Sequence, residues 1–377
     1  MKRILVISFT DLKNDPRVNR QLLRLNKSYD VSCVGLKSPE IEGVKYYPAK
    51  KSRNRLWLLI TYFALLFRFY KLFYWTQVVV RGALKSVGNQ TFDLILANDV
   101  ESLPIAQKIA KNTTAKIVFD AHEYAPKEHE DKFVWRILFS NYNAWLLKKF
   151  TKNISLMFTV CEGIALEFEK NFGLKPLVMT NASEYADIEP TLVRKNDTIR
   201  LIHHGAAITS RKIENMIKMM GFLGERFKLD LMLVARKQHY LNELKQQAKN
   251  NPNISFIPPV PMQEIVSFLK RYDVGIYILE PNSFNNKYAL PNKIFEFIQA
   301  RLAVAIGPSP EMKKLVVKNE IGIVAEDFSP EALAERIRKL DAENINRYKK
   351  NSDVTAKKIN SETNMKLLDR EVSKLLE

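Results

Sequence analysis

The segment Tyr288–Ile298 carries residue types that could bind a phosphorylated ligand. Its sequence, Tyr-Ala-Leu-Pro-Asn-Lys-Ile-Phe-Glu-Phe-Ile, places Pro291 at the predicted start of a helix. The free N–H groups of a first helical turn and the positive end of the helix dipole favour an anion, and Lys293 adds a formal charge there. Glu296 needs a different partner, such as sugar hydroxyl groups. The segment predicts a site for a diphosphate attached to sugars, with an ordinary capped amphipathic helix as the alternative.

Basic and small residues also follow a predicted strand in the second half of the chain. His203, His204 and Gly205 end that strand, and Arg211 and Lys212 open the next helix. Gly205 would let the backbone come close to a ligand, and the two cations could neutralise a diphosphate. A capped helix with exposed basic residues is the alternative. The two histidines do not predict a metal site, because adjacent side chains of a strand point to opposite faces and no Cys or third His lies nearby.

Two predicted strand ends in the first half carry acidic residues and a histidine. Asn98 and Asp99 follow one strand, and Asp120, His122 and Glu123 follow another. The carboxyl ends of parallel strands are where α/β sheets place functional groups. Titratable groups that share such an edge predict a catalytic site, and a purely structural histidine is the alternative.

The elements that must position these residues alternate between short apolar runs and helical patterns, which predicts parallel sheets covered by helices. The 377 residues are enough for two or three domains. We therefore expect an α/β protein with two Rossmann-like domains and a central interdomain cleft that binds the ligand. The predicted divisions are an N-terminal domain over 1–185, a linker over 186–198, a second domain over 199–345 and a helical C-terminal segment over 346–377 that could pack back on the first domain.

Individual elements are predicted from the apolar runs and from helix-start residues. Asp15 is expected to cap a helix that starts at Pro16, and a further helix is expected over Ile213–Phe227. The predicted strands are Ile4–Ser8, Val31–Gly35, Leu94–Ala97, Ile117–Asp120, Met157–Val160, Leu177–Thr180, Leu201–Ile202, Leu229–Val234, Ile254–Ile257, Val274–Leu279 and Ala303–Ile306.

Composition narrows the functional classes. The formal net charge of +18 implies an anionic partner, but no helix-turn-helix, RNA-binding or zinc signature accompanies it, so nucleic acid is not predicted. Cys33 and Cys161 give neither a disulfide framework nor metal-ligand spacing, which indicates a reducing cytosol. The absence of a glycine-rich fingerprint after the first strand argues against a dinucleotide-dependent dehydrogenase. No metal and no cofactor are predicted.

Residues 50–75 combine basic and aromatic side chains around an apolar run. The uncharged part spans only 56–67, whereas a helix that crosses a bilayer needs roughly 20 residues. Cationic flanks with aromatic rings suit a helix lying on an anionic membrane surface, and a buried helix of the first domain is the alternative. The residues predicted to contact the membrane are Arg53, Arg55, Trp57, Phe63, Phe67 and Lys71. The expected location is cytoplasmic, peripheral on the inner face of the plasma membrane.

Motifs in order along nearly the whole chain resemble the retaining glycosyltransferases of family 4, which have the GT-B fold. Each motif is weak alone, but their order and spacing together are specific. The motifs are Asp15–Arg20, Asn98–Asp99, Asp120–Glu123, Thr180–Asn181, His204–Ala206 with Arg211, Pro258–Val260, Asp273–Ile276 and Leu290–Phe297.

The resemblance implies that a nucleotide-sugar donor gives its sugar to a glycan or lipid-linked acceptor in the synthesis of a surface polysaccharide or glycolipid, such as lipopolysaccharide or capsule. It implies metal-independent chemistry with retention at the anomeric carbon. Glu296 would bind the ribose hydroxyls, and Arg211 with Lys212 would bind the diphosphate. His122 and Asp99 would face the sugar and the acceptor, which makes them, with Arg211, the catalytic candidates. The remaining donor-binding candidates are Gly205, Leu290, Pro291, Asn292 and Lys293.

Two departures from the family pattern concern the donor sugar. Tyr288 stands where the family has a first Glu, eight positions before Glu296, and Glu280 lies too far upstream to replace it without a rearranged loop. Phe9, Thr10 and Asp11 replace the glycine-rich turn after the first strand. A nucleotide-sugar epimerase or hydrolase of the same fold is one alternative function, and a non-catalytic membrane-binding scaffold is another.

Overall fold

The computed structural model of the protein describes residues 1–50, 62–111 and 113–377. Two compact units divide the chain. The first consists of Met1–Thr180, Ser283–Asn285 and Asn364–Glu377, and the second of Asn181–Asn282 and Asn286–Thr363. Each unit contains a parallel sheet with helices packed against it. The predicted α/β class is therefore confirmed.

The first unit contains a sheet of seven parallel strands in the order β3-β2-β1-β4-β5-β6-β7. The chain steps outward from β1 in one direction and then, from β4, in the other, as in Rossmann folds. The strands are β1 (Arg3–Ile7), β2 (Asp30–Gly35), β3 (Lys45–Pro48), β4 (Leu94–Asn98), β5 (Lys116–Ala121), β6 (Leu156–Thr159) and β7 (Leu177–Val178). The helices are Pro16–Leu25, Tyr70–Thr76, Val78–Val87, Leu103–Ala110, Phe133–Trp135, Asn141–Phe150, Glu162–Phe172 and Ser361–Leu376, and residues 62–66 are also helical.

The second unit repeats this arrangement with six strands in the order β10-β9-β8-β11-β12-β13. Its order reverses between β8 and β11. The strands are β8 (Ile199–Ala207), β9 (Phe227–Ala235), β10 (Ile254–Ile257), β11 (Val274–Tyr277), β12 (Ala303–Ile306) and β13 (Gly322–Val324). The helices are Glu214–Met220, Gln238–Ala248, Ile265–Leu269, Asn292–Gln299, Pro310–Lys318, Pro330–Arg338 and Ala342–Lys358. The short helix Phe284–Lys287 has its first two residues in the first unit and its last two in the second.

Local capping rules account for where the first helix begins. Asp15 has extended backbone and its carboxylate accepts a hydrogen bond from Val18 N at 3.2 Å, with Pro16 as the first helical residue, so the predicted start is confirmed. The predicted helix over Ile213–Phe227 was too long. The helix ends at Met220 because turns containing two glycines follow it, and Phe227 already belongs to β9.

The C-terminal residues divide between the two units. The helix Ala342–Lys358 packs in the second unit, whereas Asn364–Glu377 belongs to the first. Leu368 and Val372 are fully buried there, in the same apolar cluster as β1 and β2 side chains. Asn364 Nδ2 also donates to the carbonyl of Thr180 at 2.8 Å. The first unit's core therefore contains residues from both ends of the sequence.

Candidate functional site

Two basic side chains of the second unit come together at Gly205. Gly205 lies in β8 with φ +128°, and a Cβ built there would lie 3.3 Å from Lys293 Nζ and 3.7 Å from Arg211 Nη1. A side chain at this position would occupy the space beside both cations and would strain the backbone. The glycine therefore leaves exposed main chain next to two positive charges, which is a suitable arrangement for a phosphorylated ligand.

Lys293 is buried, with its charge held among aromatic and imidazole rings. Its Nζ lies 4.1 Å from the centroid of the Tyr277 ring and 3.5 Å from His203 Nε2. Burial lowers the pKa of Lys293 well below its ordinary value, and the neighbouring Arg211 lowers it further, while Glu296 opposes the shift. A cation so poorly compensated by the protein has a strong reason to bind an anionic ligand.

A hydrogen bond fixes the tautomer of His203 so that its unprotonated nitrogen faces Lys293. Its Nδ1 donates to the carbonyl of Ile276 at 3.0 Å, since a carbonyl can only accept. The Nε2 lone pair therefore faces Lys293. Burial lowers the pKa of His203 well below its ordinary value, and Lys293 adds to the effect, so the ring is neutral. His203 acts as an acceptor that holds the ammonium group in place.

His204 points away from His203, as adjacent residues of a strand must, and lies against Glu296. Its Nε2 is 3.3 Å from Glu296 Oε2, and its ring meets Phe297 edge-on at 5.3 Å. Burial, with Lys293 next, lowers the pKa of His204 to about 3. The imidazole is therefore neutral and does not neutralise the carboxylate of Glu296.

The helix Asn292–Gln299 places Lys293 and Glu296 on the site because its other face is anchored in the core. Phe297 packs onto Gly275 of β11 so closely that a Cβ there would lie 2.3 Å from the ring. Pro291 has extended backbone and caps the helix, which begins at Asn292, so the prediction that Pro291 is the first helical residue was wrong by one position. Leu290 and Pro291 are half-buried, and Asn292 is exposed.

Lys212 contacts a different partner from the one predicted. It adopts a left-handed conformation with φ +45°, and its Nζ contacts the carboxylate of Glu280. Glu280 also accepts a hydrogen bond from Asn215 Nδ2 at 3.0 Å. Glu280 is thus held by an ion pair and a hydrogen bond to two residues of the segment that follows β8.

The first unit brings its candidate residues together at the ends of β4 and β5. Asp99 has φ +59° and ψ 161°, a conformation that non-glycine residues adopt only when their surroundings impose it. Its carboxylate accepts from His122 N at 3.2 Å and its Oδ2 lies 3.5 Å from His122 Nδ1. On the other side of the ring, His122 Nε2 lies 3.1 Å from Asn98 Oδ1. Acceptors thus face both ring nitrogens.

The charge of His122 depends on two aspartates. Burial opposes protonation, but Asp99 and Asp120 outweigh it and raise the pKa of His122 to about 8. Asp120 is fully buried and forms a two-point pair with Arg17, with Nε–Oδ2 at 2.7 Å and Nη2–Oδ1 at 2.6 Å. Against the effect of its burial, Arg17 and His122 hold the pKa of Asp120 well below its ordinary value. The imidazolium form of His122 predominates near neutral pH.

The residues predicted to contact a membrane are only partly described. Phe63, Phe67 and Lys71 are exposed, with 61% of Phe63 and 62% of Phe67 accessible. The predictions for Arg53, Arg55 and Trp57 lie outside the described residues. Tyr70, Phe73 and Tyr74 in the same segment are buried in the first unit.

Within residues 1–50, 62–111 and 113–377, no group of three or more His, Cys, Asp or Glu side chains is placed to hold a metal ion. In these same ranges no helix combines the length and the apolar character that crossing a membrane requires.

Several residues that complete these clusters have no role predicted from the sequence. His203 is predicted only not to bind a metal, yet it faces Lys293. Arg17 is predicted only as part of a family motif and Gln21 has no prediction, although Gln21 Nε2 donates to Asp120 Oδ2 at 2.6 Å. The signal that could have found Arg17 and Gln21 is their spacing of four residues on one helix face, next to a buried acid.

Comparison with known sequences identifies one family in the second half of the chain. Residues 187–358 match the family described as "Glycosyl transferases group 1". This segment holds Gly205, Arg211, Lys293 and Glu296. Among curated proteins, no relative matches the sequence.

Solved structures share the fold over the full length of the chain. Sucrose-phosphate synthase from Thermosynechococcus elongatus superposes with a TM-score of 0.72 at 13% identity, covering 100% of this chain and 99% of that one. Anabaena HepE in complex with UDP and glucose superposes with a TM-score of 0.71 at 13% identity, covering 99% of this chain and 100% of that one. The HepE complex with UDP-glucose gives a TM-score of 0.71 at 14% identity, with the same coverage of both chains. The predicted GT-B fold with two Rossmann-like domains is confirmed. The family match and the shared fold together support a glycosyltransferase.

Proposed function

We propose that the protein transfers a sugar from a nucleotide-sugar donor to a glycan or lipid-linked acceptor, with retention at the anomeric carbon, in the synthesis of a surface polysaccharide or glycolipid. The observation that carries this proposal is the convergence of Arg211 and Lys293 on Gly205, with Glu296 on the same helix as Lys293. The HepE structures hold UDP and glucose, or UDP-glucose, which makes a uridine nucleotide the first donor to test.

In this proposal the second unit binds the donor. Arg211 and Lys293 neutralise the diphosphate, and the carboxylate of Glu296 accepts hydrogen bonds from the ribose hydroxyls. The bond between the anomeric carbon and the diphosphate oxygen breaks, and the acceptor oxygen bonds to that carbon on the same face. The acceptor proton passes to the departing phosphate. Two cations near the leaving group stabilise the charge that develops on it.

From the first unit we propose that Asp99 and His122 act on the sugar and the acceptor. As an imidazolium with a pKa of about 8, His122 has both N–H groups directed at Asp99 and Asn98, so it suits holding these two side chains toward the sugar and the acceptor better than a proton-accepting role. Leu290, Pro291 and Asn292 contribute main chain beside the phosphate or the sugar, and Lys212 assists the diphosphate.

The transfer activity can be tested with the full-length protein. A panel of nucleotide sugars is incubated with and without a lipid extract, and nucleoside diphosphate release and labelled lipid are measured. We expect release that depends on the acceptor. Release without any acceptor would indicate a hydrolase, an isomerised donor would indicate an epimerase, and no nucleotide binding by thermal shift would indicate a scaffold. Each of these results would overturn the proposal.

Two substitutions test the residue assignments. Glu296→Ala and Arg211→Ala should each abolish transfer while the melting temperature stays near that of the parent. Matched controls are Glu331→Ala and Arg336→Ala, on the exposed face of the helix Pro330–Arg338, which should leave transfer unchanged. Full turnover in Glu296→Ala or Arg211→Ala would reject the assignment.

We also propose that residues 50–75 rest on an anionic membrane surface at the inner face of the plasma membrane, where a lipid-linked acceptor would be found. Exposed Phe63 and Phe67 support this, since apolar side chains at a cationic surface gain by entering a headgroup layer. Sedimentation with liposomes should require acidic lipid and weaken with salt. A variant with polar residues at 57, 63 and 67 should stay in solution. If the parent protein ignores liposomes, this part of the proposal fails.

A further inference from the structure

A groove of about 740 Å³ opens on the first unit, and none of the residues assigned above to the donor lines it. Two elements distant in sequence form it. One wall consists of residues 68–72 and Trp75, which include the start of the helix Tyr70–Thr76, and the other is provided by Trp145 and Lys149 on the helix Asn141–Phe150. Its volume falls within the range of roughly 300–1,000 Å³ that small-molecule sites occupy.

The walls of the groove are aromatic rings fixed by their neighbours. The Trp145 ring lies 5.6 Å from Tyr70, and the two rings are tilted by 52°. Tyr70 in turn meets Tyr142 edge-on at 5.6 Å. The Trp75 ring is held against Tyr74 at 4.9 Å, with Lys108 Nζ 4.7 Å above it. Packed rings of this kind offer a preformed apolar surface.

Among the described residues, the charged side chains that line the groove are cations. Arg68 and Lys71 stand on one wall and Lys149 on the other, with no carboxylate from residues 1–50, 62–111 or 113–377 beside them. Lys149 Nζ lies 5.1 Å from the centroid of the Trp145 ring, so its charge is positioned at the apolar wall. Arg68 adopts φ +59° at the turn where residues 62–66 end and the helix Tyr70–Thr76 begins.

We infer that this groove binds a single anionic amphiphile, a molecule with an acidic head group and a hydrocarbon chain. The head group would lie between Arg68, Lys71 and Lys149, and the chain would lie along Trp145 and Trp75. Charge complementarity selects the acidic head, because three cations share the groove. The apolar walls select the chain, because hydrocarbon that lies against them is removed from water.

One wall of the groove lies within residues 50–75, but the groove predicts a different kind of binding from the membrane contact proposed for that segment, and it does not depend on glycosyl transfer. A segment resting on a bilayer meets many lipids at once. The groove is concave and its cations come from two separate elements, so it predicts saturable binding of one molecule in the absence of any bilayer.

The probe is decyl phosphate, kept below the concentration at which it forms micelles and titrated into the full-length protein. Calorimetry should give one site per chain, and raising the salt concentration should weaken the affinity. Lys149→Glu should weaken binding at least tenfold. The matched control is Lys245→Glu, since Lys245 is likewise a surface lysine, 5.9 Å from the centroid of the Phe256 ring, and it should bind as the parent does.

Two further ligands separate the contributions to binding. Decanol carries the chain without the charge and inorganic phosphate carries the charge without the chain, and each should bind at least tenfold more weakly than decyl phosphate. Trp145→Phe, which keeps an aromatic ring against Tyr70, should retain the fold and bind less tightly. Equal binding of decanol, non-saturating binding, or an equal loss in Lys245→Glu would each overturn the inference. Nucleotide-sugar binding, measured on the same variants, should not change.

Discussion

Lys293 is a buried cation whose environment opposes its charge, and this has a measurable consequence for ligand binding. Burial and Arg211 lower its pKa in the free protein. An anion bound beside its Nζ favours the charged form and raises that pKa again. Any fraction of Lys293 that is neutral before binding must then take up a proton when the donor binds.

We therefore predict that nucleoside diphosphate binding is accompanied by proton uptake, which increases as the pH rises through the pKa of Lys293 in the free protein. Calorimetric titrations in buffers with different ionisation enthalpies measure the number of protons. Lys293→Met should abolish the uptake and weaken binding, whereas Lys287→Met, at an exposed position that ends the short helix Phe284–Lys287, should change neither. Uptake that persists in Lys293→Met would assign the proton to another group.

Gly205 permits a second prediction. A Cβ at this position would both crowd Lys293 and strain the backbone, and a second glycine with positive φ but open space beside it distinguishes the two effects. Gly205→Ala introduces a Cβ 3.3 Å from Lys293 Nζ at φ +128°, and we expect a loss of about 1–3 kcal/mol in stability together with weaker nucleotide binding. Gly173→Ala is the control. Gly173 also has positive φ, +67°, but nothing lies within 4 Å of its Cβ position. It should lose stability without losing affinity, as measured by urea unfolding and calorimetry.

His122 links stability to pH. The pKa of His122 is about 8 in the folded protein, against an ordinary value of 6.5. The stabilisation that protonated His122 adds to the free energy of unfolding is therefore complete below pH 6.5 and is lost as the pH rises through 8. The shift corresponds to about 2 kcal/mol. His122→Asn should flatten the decline in the free energy of unfolding between pH 6 and pH 9, and His239→Asn, at an exposed helix position, should not. An unchanged decline in His122→Asn would refute the coupling to Asp99 and Asp120.

At the scale of elements, Arg17 joins three parts of the first unit. It pairs with Asp120 at the end of β5, and its Nη1 donates to the carbonyl of Met179 at 2.7 Å, just after β7. Its own helix, Pro16–Leu25, follows β1 through a short connection. The position of His122 therefore depends on the helix that carries Arg17, through the pair of Arg17 with Asp120.

We predict that Arg17→Met destabilises the first unit by about 3–5 kcal/mol, because it leaves the charge of Asp120 buried without its main partner. Asp120→Asn added to Arg17→Met should restore part of the loss by removing that charge. Urea unfolding measures both effects. If the double variant is no more stable than Arg17→Met, the penalty comes from lost packing and not from the uncompensated charge.

The sequence predicts elements that are defined by a local apolar pattern better than elements that depend on tertiary contacts. Strands such as β1 and β12 are continuous apolar runs that are buried on both faces, and their positions follow from composition alone. The short strands β3 and β13 were missed, because four or three residues at a sheet edge carry almost no periodic signal. The residues of the site could be proposed from strand ends, but the pairing of Lys212 with Glu280 arises from tertiary folding, which no local pattern encodes.

At the scale of the whole molecule, each unit has its own core, and the first is completed by the C-terminal helix. Leu368 and Val372 are fully buried in it, and Tyr29 Oη and Ser373 Oγ share a hydrogen bond at 3.0 Å. Removing Leu368 should therefore affect one unit far more than the other.

We predict that Leu368→Ala costs about 2–5 kcal/mol in the first unit. Hydrogen exchange should accelerate for the amides of β1 and β2 and stay unchanged for those of β8 and β9. Lys366→Ala, at an exposed position of the same helix, is the matched control and should leave exchange as in the parent protein. Equal acceleration in both sheets of Leu368→Ala would mean that the two units unfold together.

The same helix sets an order of events during synthesis. The strands of the first sheet leave the ribosome before those of the second, yet their core lacks Leu368 and Val372 until some 190 further residues, 181–372, have been made. At 5–20 residues per second this takes roughly 10–40 s. For that time the nascent first unit presents an uncovered apolar surface, so the domain translated first is the domain finished last.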